Sequence, residues 1–345
     1  MRDIFDDRYP IHSFRYVDGY GVWIPTSRFP WSRELIMDGS NNANLPSLAC
    51  PDCLKILKST KEEKSLACHN CGYSFDNPAG VAQLIGEKSE INFSELQVQD
   101  EVSSLYENVR YTVDTSVRYH HESLVDVIGF ADPRGDILEV GCGNGSFLEM
   151  LSSQDEVRSL SAIDLSNEML KYANSRMCSD ERAVPWRITR ADGERLPFQD
   201  ASFDCVFARG LLHHLPNPER GAAEIARILK PEGTAVLVDP YRNLISAIPR
   251  LLSRRTSHFD DDHKNFSLRE LKKFFSGSLE IQDVKFWGYV AYPLLGFPDV
   301  LSFNWLPLER LYQPLVNFDN AVSKIPLINR FSWGITVKVS RSRDR

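Results

Sequence analysis

Glu139-Val-Gly-Cys-Gly-Asn-Gly145 follows directly on the apolar pair Ile137-Leu138. The order reads as a strand, a glycine-rich turn and a helix. That geometry brings backbone N–H groups close to a small ligand at a helix N-terminus. Gly141 and Gly143 can take positive φ, and neither carries a side chain that would obstruct a ligand. Turns of this kind serve several nucleotide-like ligands and some purely structural bends, so the flanking chain has to decide between them.

Downstream, apolar runs alternate with helical periods. The strands expected are Asp136–Val140, Leu160–Asp164, Trp186–Arg190, Phe203–Ala208 and Thr234–Val238. Helices are expected over Phe147–Ser152, Asn167–Met177 and Glu219–Leu229, the last with Ala222, Ile225, Ala226 and Leu229 at helical spacing. Lys230-Pro-Glu-Gly233 reads as a turn. Such alternation predicts a parallel, doubly wound α/β sheet. Ser267 with Glu270 makes a capping box, followed by strands at Leu279–Trp287 and Gly334–Val339. Between these two lies an apolar insertion, 289–331, with Leu294, Leu295, Leu301, Trp305 and Leu311. Upstream, residues 90–130 read as helical, with Leu105, Val109, Val113 and Val117.

The chain has 345 residues, 42% of them hydrophobic and 25% charged, with a net charge of −7. That is room for more than one domain of an ordinary globular protein. The acidic balance argues against a surface that grips long nucleic acid along its whole face. The charged start, Met1-Arg-Asp-Ile-Phe-Asp-Asp7, predicts no signal peptide. The apolar stretch Phe286–Pro298 is too short to span a bilayer. A cytoplasmic location is expected. Residues 1–45 form an aromatic-rich arm, with Tyr16, Trp23 and Trp31, ending in a polar linker.

Cys50-x-x-Cys53 and Cys68-x-x-Cys71 sit in a compact unit, 46–86. Each knuckle places two thiolates on one tight turn, and two knuckles supply the four tetrahedral sulfurs of a structural Zn²⁺. A unit this small buries too little core to fold on its own, so the metal supplies folding energy. His69 lies inside the second knuckle but is not needed once four cysteines ligate.

A dinucleotide turn normally reads G-x-G-x-x-G. Here the pattern is Gly141-x-Gly143-x-Gly145, and Asp164 ends the second strand where a ribose-holding acid would stand. The later strands close with Asp192-Gly193, then Arg209-Gly-Leu-Leu-His213-His214, and the fifth follows Lys230-Pro-Glu-Gly233. Together, over about residues 136–239, these blocks resemble class I S-adenosylmethionine (SAM)-dependent methyltransferases, especially those of ubiquinone and menaquinone biosynthesis. The resemblance implies a Rossmann-like, seven-stranded sheet over residues 90–345, with the zinc-ribbon-like unit before it.

It also implies roles. Glu139, Gly141, Cys142, Gly143 and Gly145 would line the methionine part of SAM. Asp164 would hold the ribose and Leu165 would pack on adenine. Asp192, with Gly193, would accept from the adenine amine. Arg209 would offer its carbonyl near the sulfonium. His214 or His213 would serve as a base where the acceptor keeps a proton. Tyr106 and Arg118 are candidates for the SAM carboxylate. No Asn-Pro-Pro-Tyr run follows the fourth strand, which favours O- or C-methylation. The insertion occupies the position of an acceptor lid. Its composition suits a small, apolar or lipid- or glycan-linked acceptor and would also suit a membrane surface or a homodimer interface. A similar ribbon fusion acts on ribosomal RNA, and a non-catalytic scaffold is a third reading. The acidic chain and the apolar insertion disfavour the first, and the full set of cofactor positions disfavours the second.

Overall fold

The computed structural model describes residues 14–17, 22–25, 45–60, 65–91, 113–178, 184–243, 265–296 and 306–342. Within the aromatic arm, Phe14–Val17 (β1) pairs antiparallel with Val22–Pro25 (β2). The remainder of the arm up to residue 44 lies outside the described residues, as do 92–112 of the expected helical lead-in and 297–305 of the insertion. Lys58–Ser59 (β3), Ser65–Ala67 (β4) and Ser74–Asp76 (β5) form a small antiparallel sheet, and Ala82–Leu84 (β6) follows it.

The lead-in helix is Asp114–Ala131 (α1), ended by Asp132 in the left-handed conformation. The alternating region then runs Gly135–Val140 (β7), Ser146–Ser152 (α2), Val157–Asp164 (β8), Asn167–Cys178 (α3), Trp186–Ala191 (β9), Phe203–Arg209 (β10), Pro218–Ile228 (α4) and Leu229–Pro240 (β11). The turn at Lys230–Gly233 survives as a bulge. Leu229 pairs with Phe203, and pairing resumes only at Thr234 opposite Cys205. Leu268–Phe275 (α5) starts at the expected capping box, with Ser267 and Glu270 satisfying each other's backbone N–H. Leu279–Trp287 (β12), Leu308–Val322 (α6) and Gly334–Arg341 (β13) complete the chain.

The large sheet has the order β12-β13-β11-β10-β7-β8-β9-β6. β13 runs antiparallel to both of its neighbours, and every other pairing is parallel. Successive strand residues point to opposite faces, and here both faces are apolar. Leu138, Val140, Val206, Ala208, Ala235 and Leu237 face the layer that holds α4 and α5. Ile137, Cys205, Phe207 and Val236 face the layer of α1, α2 and α3.

Seven of these strands are those expected. The eighth, β6, comes from the cysteine unit and pairs in parallel with β9, Ala82 opposite Thr189 and Leu84 opposite Ala191. The unit is fastened at further points. The Ala49 amide donates to Pro197 O at 2.8 Å. Arg187 Nη1 donates to Pro46 O at 2.8 Å, and Arg195 Nε to Lys88 O at 3.0 Å. Leu48 packs against both the ribbon core and the sheet core.

The insertion leaves at the end of β12 and packs on α1. The Tyr292 ring lies 6.1 Å from Tyr119 and 4.9 Å from Trp287, and Tyr312 Oη donates to Glu122 at 2.7 Å. Asp319 is buried and accepts from the amides of Tyr289, Val290 and Ala291 at 2.7, 2.8 and 3.2 Å. Its carboxylate therefore holds the first turn of the insertion in place. No helix among the described residues is long and apolar enough to cross a membrane.

Candidate active site

Parallel strands bring their C-terminal ends to one edge, and that edge is where ligands bind in open α/β sheets. Glu139, Asp164, Ala191, Arg209 and Asp239 all lie at or next to these ends. The loop residues Gly141–Gly145, Leu165, Asp192-Gly193 and His213-His214 follow them on the same edge.

The glycine loop is pinned to the end of β8. The amides of Gly141 and Cys142 donate to Ile163 O at 2.9 and 3.0 Å, and that of Gly143 donates to Asp164 Oδ2 at 2.8 Å. These three amides are therefore engaged by the protein itself, so the loop's contribution is its shape. A Cβ built on Gly143 meets nothing within 4 Å, whereas one on Gly145 would stand 2.8 Å from Ala173 Cα. Among the described residues nothing crowds Gly143, and Gly145 permits close packing of the loop against α3. Cys142 is buried. The other oxygen of Asp164 accepts from the Ser166 amide at 2.9 Å, while Ser166 Oγ accepts from Met169 N and caps α3.

Glu139 shares a strand face with Ile137 and is fully buried. Among the described residues, neither of its carboxylate oxygens has a hydrogen-bond partner. Arg209 Nε stands 3.5 Å away, with its guanidinium 4.2 Å from the Phe147 ring centre, and Nε is likewise without a hydrogen bond. Burial pushes the Glu139 carboxyl up to about 7, against the opposing pull of Arg209. A buried acid without donors costs stability unless a ligand supplies them. The ammonium of an amino-acid moiety is such a donor, and the glycine loop that follows Glu139 in the chain carries at Gly143 a side left unfilled by the described residues. The residues present therefore fit SAM.

On the neighbouring loop, Asp192 Oδ1 accepts from the Glu194 amide at 2.8 Å. A Cβ on Gly193 would meet Leu215, Val140 and Leu211 at 3.4 to 3.7 Å, so the loop lies tight against apolar side chains. Leu165 is half-buried, and its carbonyl accepts from Arg190 Nε at 2.9 Å.

His213 and His214 do not stand alike. His213 is buried, and its Nδ1 lies 2.8 Å from Asp239 Oδ1, which also accepts from the His213 amide at 3.2 Å. Among the described residues Asp239 Oδ2 has no hydrogen-bond partner, and burial pushes this carboxyl up to about 7 against the opposing backbone N–H of His213 and the charge of His214. The His214 ring stacks on His213 with centroids 3.9 Å apart. An acid that holds one imidazole nitrogen fixes the tautomer and orientation of the ring. The Asp239 partner was not anticipated from the sequence, although its place after the fifth strand, in Val238-Asp-Pro240, put it on the edge that carries the site.

Arg118 is engaged by the protein itself. It pairs with Glu122 at 2.9 Å and stacks 4.1 Å over the Tyr312 ring, in the contact between α1 and the insertion. Tyr106 lies outside the described residues.

The sulfurs of Cys50, Cys53, Cys68 and Cys71 all lie within 4.8 Å of one another. A tetrahedral ion with ~2.3 Å bonds to sulfur needs them about 3.8 Å apart, so the set fits Zn²⁺. The two knuckles repeat one turn. Leu54 N donates to Cys50 O and Gly72 N to Cys68 O, both at 2.8 Å, with positive φ at Leu54 and Gly72. His69 is exposed and takes no part in the cluster.

A family model described as "Methyltransferase domain" matches residues 138–237. Those residues form a methyltransferase domain. The domain is 29% identical over 178 residues to the uncharacterized methyltransferase YcgJ of Bacillus subtilis, covering 50% of this chain and 69% of that one. It is 30% identical over 161 residues to the ubiquinone biosynthesis O-methyltransferase of Xanthomonas campestris, covering 44% and 65%. Several other methyltransferases are matched over less than half of their length, one from Arabidopsis thaliana over 41%. Among solved structures, the complex between the Haloferax volcanii Trm112 methyltransferase activator and the putative methyltransferase is similar in fold. Its TM-score is 0.50 at 16% identity, with 73% of this chain and 98% of that chain covered.

Proposed function

We propose that the protein methylates an oxygen or carbon nucleophile of a small, apolar or lipid-linked acceptor, using SAM held at the C-terminal edge of the sheet. The buried His213–Asp239 pair on that edge carries this reading. SAM supplies a methyl group already activated by a positive sulfur. What remains for the protein is alignment, exclusion of water and removal of the acceptor's proton.

Glu139 accepts from the ammonium of the methionine part, beside the glycine loop. Asp164 accepts from the ribose hydroxyls, Leu165 covers adenine, and Asp192 accepts from its amine. Arg209 offers its carbonyl to the positive centre, while its guanidinium moderates the charge on Glu139. Asp239 keeps the His213 proton on Nδ1, so that Nε2 takes the acceptor's proton. His214 limits the tilt of that ring. The insertion, locked by Asp319, shields the same edge from water. The similarity to an O-methyltransferase of ubiquinone biosynthesis and the apolar composition of the insertion both favour an acceptor of this type.

Cys50, Cys53, Cys68 and Cys71 hold a structural Zn²⁺ in a ribbon over residues 46–86, which serves the sheet in cis. Its strand β6 pairs with the strand that leads into Asp192. Calorimetry with SAM, on wild type and on Asp164→Ala, tests the donor site, where micromolar binding lost in the variant is expected. Absence of SAM binding in the wild type overturns the proposal. Labelled SAM offered with total RNA and with a lipid extract tests the acceptor, and label appearing only in RNA sinks the apolar-acceptor reading.

A further inference from the structure

Lys324-Ile-Pro-Leu-Ile-Asn-Arg-Phe331 follows α6, and no acidic residue occurs between Asn320 and Ser342. The chain as a whole is acidic, so the sign of charge reverses here. Ile325, Leu327, Ile328 and Phe331 are 44%, 71%, 47% and 42% exposed, with Lys324 and Arg330 exposed among them. Phe318, on α6 before this segment, is 52% exposed. A cluster of large apolar side chains in water marks a contact surface.

The backbone makes the same point. Leu327, the most exposed of these, sits at φ 71°, ψ −45°. That is close to the rare and strained classic γ-turn. Strain that holds a leucine out into solvent is unfavourable unless something receives it.

The position of the segment is informative too. Gly334 pairs with both Pro240 and Trp287, so the insertion leaves the sheet at the edge where β11 ends. That is the edge carrying Glu139, Asp164 and Arg209. Tyr289 Oη donates to Asn329 O at 2.9 Å, which fastens the exposed segment to the insertion's first turn.

We infer that Ile325–Phe331 docks on an anionic lipid surface. Leu327 and Ile328 enter the acyl boundary, while Lys324 and Arg330 meet the phosphates, the division of labour of an interfacial segment. Docking turns the catalytic edge toward the membrane. The inference does not require the methyl acceptor itself to be a lipid.

Co-sedimentation of the full chain with vesicles tests it, using phosphatidylcholine alone and an equal mixture with phosphatidylglycerol. Binding to the mixed vesicles is expected to be at least ~10-fold tighter. Leu327→Asp/Ile328→Asp abolishes it, with thermal melting and SAM affinity unchanged. Lys324→Glu/Arg330→Glu removes the preference for the mixed vesicles and leaves melting unchanged. The inference is overturned if the wild type ignores both vesicles, or if the aspartate variant binds as the wild type does. A wild-type dimer in analytical ultracentrifugation that the aspartate variant converts to monomer also overturns it, since the patch is then a subunit contact.

Discussion

Replacing Glu139 by glutamine separates what this acid costs the fold from what it gives a ligand. Burial raises its pKa from 4.5 to about 7, with Arg209 opposing. Between those pH values the unfolded chain ionises the group while the folded chain keeps it protonated, so stability falls as pH rises. At ~1.4 kcal/mol per pH unit the loss reaches roughly 3 kcal/mol above pH 7. Below pH 4.5 both states are protonated and the acid costs nothing of this kind. The glutamine of the variant would leave a buried amide short of partners, at ~1–3 kcal/mol, but that cost does not depend on pH. The stability of Glu139→Gln relative to wild type should therefore rise by about 3 kcal/mol between pH 4.5 and pH 8. Urea unfolding at both pH values measures it. At pH 8 the same variant should bind SAM at least ~10-fold more weakly, because a neutral amide replaces a carboxylate opposite an ammonium. Parallel stability profiles for variant and wild type refute the buried-acid reasoning. Undiminished SAM affinity refutes the assignment of Glu139 to the methionine ammonium.

Three further outcomes are expected. Asp239→Asn should lower turnover ~10²–10⁴-fold and flatten the acidic limb of the pH–rate profile while SAM affinity holds; an unaltered profile removes His213 from proton transfer. Asp136 lies at the opposite edge of the sheet, paired with Arg158 and Lys230. Burial disfavours its charge, but Arg158, Ser159 and Lys230 outweigh burial and lower it to about 2. Asp136→Asn should then cost at most about 2 kcal/mol at neutral pH, since Arg158 is half in solvent. That difference is present above pH 3.8 and disappears as pH falls toward 2, which melting curves across that window would show. Cys50→Ser/Cys53→Ser should reduce zinc from one atom per chain to none and speed hydrogen exchange at Ala82–Leu84 and along β9. A metal-free wild type that melts as a folded protein contradicts the ribbon's dependence on zinc.

Features set by neighbouring residues were legible. Leu279–Trp287 emerged with the expected limits, and the Ser267–Glu270 capping box formed as its spacing indicated. Both depend on contacts a few residues apart. The central strands were likewise found, although β11 runs through the bulge at Lys230–Gly233 because Leu229 already pairs with Phe203. Features made by distant segments were not legible. Ala82-Gln-Leu84 is too short to signal a strand by periodicity, and only the open edge of β9 gives it a partner. Asp239 reaches His213 because β10 and β11 are adjacent in the sheet. The glycine loop showed its conformation but not its bonding, for its amides turn to Ile163 and Asp164 on the next strand. For Arg118 the sequence left a ligand contact and a packing role both open, and nothing local revealed its partner Tyr312, nearly two hundred residues on.

The pairing of β6 with β9 also sets a timetable for synthesis. The ribbon leaves the ribosome before its partner strand exists, and its own last strand then shows bare N–H and C=O groups. The partner follows about 100 residues later, so at ~5–20 residues per second the edge waits roughly 5–20 seconds. During that interval the nascent chain can already close its two cysteine knuckles around a metal, well before the cofactor site has been translated. The strand is three residues long, which makes it a poor template for a stray chain while it waits.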